Sequence, residues 1–417
     1  MSEVTSVAQV LGFDEALHVV LRHAANVRHP EIEQLPLLAS AGRVLAEQVR
    51  ADRDQPPFDR ATRDGFAVRA VEWSSGGPFR VVGRVRAGSV WTGATPPPQS
   101  AVEIMTGAPV PAWADAVAMI EHAELAREEV SAQKGRQLRV GDNVVPRGSE
   151  ARAGDVLLVP GLTIGSAQIA LAAACGRETL AVFKRPQVAI VATGDELVDL
   201  ADTPQPHQIR NSNGYALAAL VEAAGGHARR LPIALDTLDD LRDRIAEGRQ
   251  SGLLLLSGGV SAGKYDLVED VLAELGAEFF FIGVRMQPGK PAVFGRLPAT
   301  GAPHGDATWF FGLPGNPVST QITFHCFVEP LLRALSGAAV APPNFVQATL
   351  AEDVRGKAGL TRLLPALLRH DLPQPEVRLV PWQGSGDLAA NAGANCYALL
   401  PDGLDLHAGD VITILLR

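Results

Sequence analysis

The sequence predicts a multidomain α/β protein whose central part is a doubly wound αβα domain. Between Gln187 and Leu335, short apolar runs alternate with amphipathic segments. The apolar runs are almost uninterrupted, as expected for parallel strands that are covered by helices on both faces. Glycine-rich turns follow several of these runs. Because proline, glycine and short β-like runs dominate elsewhere, we expect β-rich parts beside this domain.

The part of the chain before residue 187 predicts two helices, a group of short strands, and then a third helix. Apolar residues at helical spacing predict a helix over 13–24, and a weaker pattern predicts one over 40–49. From residue 52 to about 145 the pattern changes to short β-runs, over 79–85, 100–105 and 115–121. An apolar helix over 163–174 and a strand over 180–183 complete this part.

The central part predicts strands that alternate with helices. The strands are expected over 188–193, 231–235, 253–257 and 279–284, and the helices over 214–224, 237–249 and 265–275. Thr237 and Asp240 have the spacing of a capping box at the start of the second helix. A last helix ends at Leu335, residues 341–343 resemble a linker, and alternation after it predicts a small β-domain.

Composition excludes several classes of protein. A chain of 417 residues predicts two to four domains, and 47% hydrophobic with 20% charged residues is typical of a globular protein. The formal charge of −9 argues against a nucleic-acid surface, and no apolar run is long enough to cross a membrane. Three distant cysteines, no secretory pattern and no zinc-type histidine spacing predict a cytoplasmic protein without a disulfide framework or zinc centre. The cysteines are Cys175, Cys326 and Cys396.

Three glycine-rich turns predict a site for a phosphorylated ligand. They lie in LLLLSGGVSAGKYD (253–266), QPGKPAVFG (287–295) and WFFGLPGNPVS (309–319). Bare N–H groups at such turns bind anions, and the carboxyl ends of parallel strands are where α/β sheets bind ligands. Residues 258–264 also fit the start of a nucleoside triphosphate P-loop. The next residue is Tyr265, where a P-loop requires Ser or Thr as a Mg²⁺ ligand, which argues against that alternative.

Acidic and basic residues near these turns are candidates for metal and anion binding. Asp195 and Glu196 follow a strand and a Thr193-Gly194 turn, which suits either Mg²⁺ or a favourable interaction with a helix dipole. Asp236 is a further acid at a strand end, or a helix N-cap. The predicted donors of the first turn are Ser257, Gly258, Gly259, Ser261 and Gly263, and the candidate cations are Lys264, Arg285 and Lys290.

The glycine turns and five further segments, in one order along the chain, resemble the molybdopterin molybdenumtransferase family, which includes bacterial MoeA and the gephyrin E-domain. Besides the glycine turns, these are ATGDEL (192–197), PPFDRATRDGFAVR (56–69), IMTGAPVPAWADAV (104–117), GDNVVPRGSE (141–150) and QGSGDLAANAGANCYALLP (383–401). The resemblance covers nearly the whole chain. It implies a molybdopterin-binding αβα domain (185–336), a discontinuous helical and β domain (1–51 and 146–184), a β-rich domain (52–145), a small C-terminal β-barrel (341–417), and a homodimer.

The resemblance also implies an activity. The family inserts molybdenum from molybdate into adenylylated molybdopterin and releases AMP in a Mg²⁺-dependent step. The alternatives are a molybdopterin adenylyltransferase, which shares only the αβα domain, and a non-catalytic scaffold of the gephyrin type. The family positions imply catalytic roles for Asp59, Asp195, Glu196 and Asp266, with the last three as metal ligands. They imply substrate contacts for Asp64, Thr106, Pro314 and Pro317, beside the turn residues, Asp236 and cations named above.

Three departures from the family pattern concern charge. The family commonly has a lysine where this chain has Gln287, so one positive charge is missing near Lys290, and Arg285 is a candidate to replace it. Arg60 and Arg63 stand where the family has uncharged residues. Their guanidinium groups either attract an anionic substrate or neutralise Asp59 and Asp64 as surface pairs.

Overall fold

The structure, a computed structural model, describes residues 9–259, 267–299, 307–370 and 374–417, which form two compact units. The first unit comprises Met1–Ala46, Pro160–Ile164 and Leu180–Arg417, and the second comprises Glu47–Val159 and Gly165–Thr179. This division is coarser than the four predicted domains, whose boundaries stay a prediction.

The described elements follow one another in chain order. The helices are α1 (Phe13–Ala24), α2 (Ala70–Ser75), α3 (Ser166–Ala174), α4 (Ser212–Ala223), α5 (Leu238–Gly248), α6 (Leu267–Glu274), α7 (Pro317–Thr323), α8 (Glu329–Leu335) and α9 (Leu388–Gly393). A π-helical segment (Phe324–Val328) joins α7 to α8, and 3-10 turns cover Leu37–Ser40 and Ile120–His122. The strands are β1 (Val10–Gly12), β2 (Ile32–Pro36), β3 (Val49–Arg50), β4 (Arg60–Ala61), β5 (Gly65–Val68), β6 (Phe79–Val85), β7 (Ser100–Ile104), β8 (Ala116–Met119), β9 (Ala123–Ala126), β10 (Glu129–Ala132), β11 (Val144–Val145), β12 (Val156–Leu158), β13 (Thr179–Phe183), β14 (Gln187–Ala192), β15 (Leu197–Val198), β16 (Ile209–Arg210), β17 (His227–Arg230), β18 (Leu253–Ser257), β19 (Glu278–Phe281), β20 (Gly283–Gln287), β21 (Val293–Leu297), β22 (Thr308–Leu313), β23 (Phe345–Leu350), β24 (Thr361–Arg369), β25 (Glu376–Leu379), β26 (Cys396–Leu400) and β27 (Val411–Leu416).

The first unit contains the doubly wound sheet that the sequence predicts. Its strand order is β17-β14-β18-β22-β21-β19, parallel from β17 to β22 and antiparallel at β21. Alternate residues of β14 face opposite sides: Val188 and Ile190 pack with α4, whereas Ala189 and Val191 pack with α5 and α6. Burial on both faces explains why these strands are almost uninterruptedly apolar.

A closed barrel forms the C-terminal part of the same unit. The strand order is β24-β25-β23-β27-β26, and β26 pairs back with β24. Strand β20 directly follows β19 of the αβα sheet but belongs to a different sheet, in which it pairs in parallel with β24 on one side and β1 on the other. The largest core cluster therefore contains residues of α1, of the αβα sheet and of the barrel, such as Phe13, Phe281 and Leu363.

The second unit has a six-stranded sheet in the order β8-β5-β7-β6-β10-β9. The predicted β-runs over 79–85, 100–105 and 115–121 correspond to β6, β7 and β8. A residue with a side chain would not fit at position 65, because its Cβ would lie 1.9 Å from the Ala118 carbonyl oxygen. Gly65 thus permits β5 to pair closely with β8.

Three predicted elements are wrong. Residues 40–49 do not form a helix: Gly42 has φ +75°, and Val44 and Leu45 make isolated bridges to Thr163 and Val182. The strand expected over 231–235 lies instead at β17, a polar edge strand that an apolar pattern does not reveal. Residues 279–284 form parts of two strands, because β19 ends at Phe281 and β20 begins at Gly283.

Two further observations concern the three cysteines and the described helices. Cys175, Cys326 and Cys396 are free thiols and are buried. Burial raises the pKa of the Cys326 thiol well above its ordinary value and that of Cys396 to about 11, so neither is poised as a nucleophile. Within the described residues, no helix combines the length and apolar character that crossing a membrane requires.

Candidate functional site

A cavity of about 1140 Å³ opens at the carboxyl ends of β14, β18 and β22. The chain passes from β14 to β17 on one side and returns to β18 on the other, so this edge is a topological switch point, where α/β sheets bind ligands. Twelve of the predicted residues were expected here or nearby and fall in described segments, and ten of them line the cavity. The lining includes Thr193, Gly194, Glu196, Asp236, Ser257, Gly258, Gly259, Lys290, Pro314 and Pro317.

The turn after β18 is shaped by a glycine that no other residue can replace easily. Gly258 has φ +96°, and a Cβ there would lie 2.4 Å from the Thr193 carbonyl oxygen. Its N–H already donates to the Leu313 carbonyl (3.2 Å), and the Gly194 N–H donates to Ala234 (3.3 Å). These two residues therefore give the cavity its shape, and their N–H groups are not the free anion donors that the sequence suggested.

Hydrogen bonds from Asn213, which were not predicted from the sequence, connect two other segments that line the cavity. Asn213 donates from Nδ2 to Ser257 Oγ (2.9 Å) and to the Gly315 carbonyl (2.8 Å). Because the Ser257 oxygen accepts this bond, its own O–H is available as a donor to a ligand. Asn211 caps α4 by accepting from the Gly214 N–H (2.9 Å), so the helix N-terminus also lines the cavity and favours negative charge.

Asn211 and Asn213 were missed because the sequence analysis began this helix at Gly214. The signal that would have found them is the N-S-N sequence before an apolar helix, in which Asn211 has the side chain of an N-cap.

The three acids near the cavity have different surroundings. Asp236 accepts a hydrogen bond at Oδ1 from the Thr193 hydroxyl (2.5 Å), and Thr237, not Asp236, is the N-cap of α5. Glu196 folds back over Gly194, where an added Cβ would lie 2.6 Å from its Oε2. Asp195 lies outside the cavity lining, and its Oδ1 accepts from the Asp236 N–H (3.1 Å). Asp236 and Glu196 therefore present carboxylates to the cavity.

No group of three or more His, Cys, Asp or Glu side chains within the described ranges could hold a metal ion by itself. Mg²⁺ in phosphate-binding sites commonly takes only one or two carboxylates, with phosphate oxygens and water completing its octahedral shell. Asp236 and Glu196 fit that requirement in number and in chemistry.

The predicted cations are divided between two places. Lys290 lines the cavity, and its loop is fixed by Pro288 and Pro291. Arg285 lies outside the lining, and its guanidinium contacts Glu15 (3.4 Å) and the Val10 carbonyl (3.2 Å). These contacts hold the Arg285 guanidinium against α1 and the strand before it. The proposed role of Arg285 in binding an oxyanion therefore stays a prediction.

Four predicted residues, Ser261, Gly263, Lys264 and Asp266, lie outside the described residues. Pro314 and Pro317 are described and line the cavity. Pro317 is also the first residue of α7, and the Thr320 hydroxyl donates to the Pro314 carbonyl (2.6 Å). The turn that they form is thus a structural strand–helix connection that borders the cavity.

The second unit brings its three predicted residues together in one exposed region. Asp64 accepts at Oδ1 from both the N–H (2.6 Å) and the hydroxyl (2.8 Å) of Thr106, and these bonds hold the pKa of Asp64 below its ordinary value. Asp59 accepts at Oδ1 from the Arg147 N–H (2.8 Å). Backbone hydrogen bonds between Ala61 and Gly107–Ala108 keep the segment of Asp59 and Asp64 beside the loop of Thr106.

The extra arginines do not neutralise these acids. Arg60 forms an ion pair with Glu150 (2.9 Å), and Arg63 donates to its neighbour's carbonyl at Thr62 (3.2 Å). The second interpretation of the two arginines, as surface pairs of Asp59 and Asp64, is therefore wrong.

Comparisons with known proteins cover the whole of this architecture. Residues 11–176 match the MoeA N-terminal region (domain I and II), residues 189–334 a probable molybdopterin binding domain, and residues 347–416 the MoeA C-terminal region (domain IV). The chain is 31% identical over 412 residues to the molybdopterin molybdenumtransferase of Staphylococcus epidermidis, covering 96% of this chain and 94% of the relative. The Staphylococcus aureus protein of that name is 34% identical over 387 residues, 90% of this chain and 89% of the relative.

Solved structures give the same result. A molybdopterin biosynthesis MoeA protein from Pyrococcus horikoshii has a TM-score of 0.72 at 30% identity, covering 98% of this chain and 99% of that chain. A second MoeA structure from that organism shares the fold at 24% identity, with a TM-score of 0.77 and coverage of 98% and 100%.

Proposed function

This chain belongs to the molybdopterin molybdenumtransferase family, and on that premise we propose that it inserts molybdenum from molybdate into adenylylated molybdopterin and releases AMP. The observation that carries the proposal is the cavity at the switch point, where two carboxylates, Lys290 and glycine turns meet. A pterin pyrophosphate needs polar donors and a metal site, and molybdate, a dianion, needs cations. The polar donors, the two carboxylates and Lys290 of the cavity support the proposal because they match these needs.

The polar groups of the cavity suit different roles in this reaction. The Ser257 hydroxyl and the N-terminus of α4 would hold phosphate oxygens, since both provide donors without a competing negative charge. Lys290 would bind the oxyanion. The hydrogen bond from the Thr193 hydroxyl would hold the Asp236 carboxylate in a fixed orientation. Other oxygen atoms of the site would then contact the ligand.

Magnesium is the cofactor that this donor set suits. Glu196 and Asp236 would hold Mg²⁺, and Asp195 and Asp266 stay predicted ligands, of which the second lies outside the described residues. When bound, the ion would neutralise the negative charge that grows on the phosphoanhydride as it is cleaved. The chain itself contributes positioning and charge neutralisation, and the reaction needs no covalent nucleophile.

The direct test uses the purified protein with adenylylated molybdopterin, Mg²⁺ and molybdate. We expect AMP release that requires both Mg²⁺ and molybdate, together with a product that reconstitutes an apo-molybdoenzyme. Release of pyrophosphate from ATP and molybdopterin would favour the adenylyltransferase alternative instead. Ligand binding with no AMP release under any of these conditions would favour the scaffold.

We further propose that the active protein is a cytoplasmic homodimer in which Asp59, Asp64 and Thr106 of one copy serve the cavity of the other. The family resemblance supports this arrangement, and a two-fold dimer makes each such contact twice. Mixing inactive Asp59→Ala protein with inactive Glu196→Ala protein should restore activity, because one cavity of each mixed dimer carries neither change. A solution mass of one chain, or no recovery after verified subunit exchange, would contradict the proposal.

A further inference from the structure

A second lysine, Lys357, reaches the cavity from the C-terminal barrel. Its Nζ donates to Gln287 Oε1 (2.9 Å), and both residues belong to the cavity lining together with Lys290. Gln287 is the last residue of β20, and Lys357 lies in the segment before β24. No local sequence pattern associates these two residues, which are 70 positions apart.

The fold holds the Lys357 segment firmly in this place. Strand β20 pairs with β24 in a register that sets Gln287 opposite Arg362. Asp405 accepts from the Gly356 N–H (2.6 Å) and Asp402 from the Gly359 N–H (2.6 Å), so the segment is fixed on both sides of Lys357. A Cβ at Gly356 would lie 2.7 Å from the backbone of Gly403, which shows how closely the two loops pack.

The hydrogen-bond partner of Lys357 does not offset the charge of its ammonium group. Its partner is a neutral amide, and none of the described contacts pairs Lys357 or Lys290 with a carboxylate. Arg210 also lines the cavity, but its guanidinium donates to the carbonyls of Leu200 (3.3 Å) and Asp202 (3.2 Å). Two lysines with no described carboxylate partner therefore line one cavity.

We propose that Lys357 binds the oxyanion together with Lys290, and that Gln287 is the residue that positions Lys357. The identity of the anion as molybdate rests on the proposed function. A tetrahedral dianion is bound best by cations that reach it from more than one side, and the loop after β20 and the segment before β24 offer such a pair. The positive charge absent at position 287 is thus supplied from another part of the chain.

The test measures molybdate binding to the whole protein by calorimetry, with no pterin present. Lys357→Met should weaken molybdate binding by about tenfold or more, because a hydrogen bond to a charged group is lost. Lys357→Arg should retain most of the affinity. Gln287→Glu should also weaken binding, since an ion pair would cancel the Lys357 charge, and Gln287→Met should have no further effect in the Lys357→Met background. Lys134→Met, at an exposed lysine of the second unit, is the matched control and should bind as the wild type does.

The results separate this inference from the proposed function. Wild-type affinity in Lys357→Met, or no molybdate binding by the wild-type protein, would overturn the inference. A loss of molybdate affinity with an equal loss of affinity for adenylylated molybdopterin would also overturn it, because the effect would then be structural. If Lys357→Met weakens only molybdate binding while the wild type releases no AMP, the inference holds and the proposed function fails.

Discussion

Two adjacent carboxylates, Asp195 and Glu196, differ in what they contact. Glu196 lines the cavity, whereas Asp195 lies outside it and accepts from the backbone N–H of Asp236. We predict that Glu196→Gln slows AMP release about 100-fold at saturating substrate and raises the Mg²⁺ requirement, because a carboxylate proposed to hold Mg²⁺ becomes a neutral amide. A discontinuous AMP assay over a Mg²⁺ series would measure both quantities.

Asp195→Asn is the matched comparison for this prediction, since it removes the neighbouring charge. We expect it to slow AMP release by less than about tenfold, as is typical for a residue that acts through a neighbour. Equal effects of the two changes would contradict the assignment of Glu196 as the metal ligand of this pair. Unchanged AMP release in Glu196→Gln would reduce the Asp195-Glu196 pair to a turn that contributes only to folding.

The Asp64–Thr106 pair predicts a pH dependence in the second unit. Hydrogen bonds from Thr106 lower the pKa of Asp64 in the folded state, so their stabilising effect is present above the unfolded pKa and is lost as pH falls through the lower folded value. Thr106→Val removes the hydroxyl donor. We expect the variant to lose less stability than the wild type between neutral pH and pH about 3. Urea unfolding at both pH values would measure this difference.

Thr106→Ser provides the control, because it keeps the hydroxyl and should retain the wild-type pH dependence. An NMR titration of the Asp64 carboxyl should show its pKa rising in Thr106→Val and not in Thr106→Ser. A pKa of Asp64 that is the same in all three proteins would exclude the hydroxyl as a cause.

At the level of secondary-structure elements, the turn that follows β18 and lines the cavity depends on Gly258. Alanine at this position would need φ near +96° and would bring its Cβ to 2.4 Å from a backbone oxygen, which cannot move as a flexible side chain would. We expect Gly258→Ala to lower the free energy of unfolding by about 2 kcal/mol or more and to abolish ligand binding. Chemical denaturation and calorimetry with the pterin ligand would test both effects.

Gly252, at the other end of the same strand, is the matched control. A Cβ there would meet only the Gln187 carbonyl oxygen, at 3.9 Å. Gly252→Ala should therefore change the free energy of unfolding by less than about 0.5 kcal/mol. A Gly258→Ala protein with wild-type stability and binding would contradict the close packing of this turn against Thr193.

The elements that could be predicted from sequence are those whose local signals agree with their packing. Helix α1 has the predicted bounds, Phe13 to Ala24, because its apolar stripe faces the core. Thr237 is an N-cap as predicted, although Asp240 accepts from the Leu235 N–H and not from Thr237. Strand β17 could not be found, since an edge strand with polar residues carries no apolar pattern.

Residues of the candidate site could be predicted from the sequence where a single segment contains both the turn after a strand and a functional side chain. Asp236 and Glu196 follow strands of the sheet, so the topology alone brings them to one edge. Lys357 was not predictable in this way. Its position depends on the pairing of β20 with β24 of the barrel, and on a side-chain contact between segments that are distant in sequence.

For the whole molecule, the first unit is expected to unfold as one body. Its largest core cluster joins residues of α1 and the αβα sheet to barrel residues, among them Leu363, Tyr397 and Leu415. A chain ending at Gly337 would expose buried side chains such as Phe327 and Val284 to water, at a cost of about 1.5–3 kcal/mol for each large apolar residue. We therefore predict that this truncated protein aggregates, which size-exclusion chromatography of the expressed fragment would show.

Two leucines of β24 provide a test that keeps the full chain. Leu363 is fully buried in the shared cluster, whereas Leu367 is 43% exposed on the same strand. Leu363→Ala should lower the free energy of unfolding by about 2–5 kcal/mol, and Leu367→Ala by less than about 1 kcal/mol. If the shared core couples the barrel to the αβα domain, Leu363→Ala must destabilise both together, so amide protons of β18 and of β26 should lose the same protection from hydrogen exchange. Loss of protection confined to β26 would mean that the barrel unfolds separately, and a soluble, folded fragment ending at Gly337 would lead to the same conclusion.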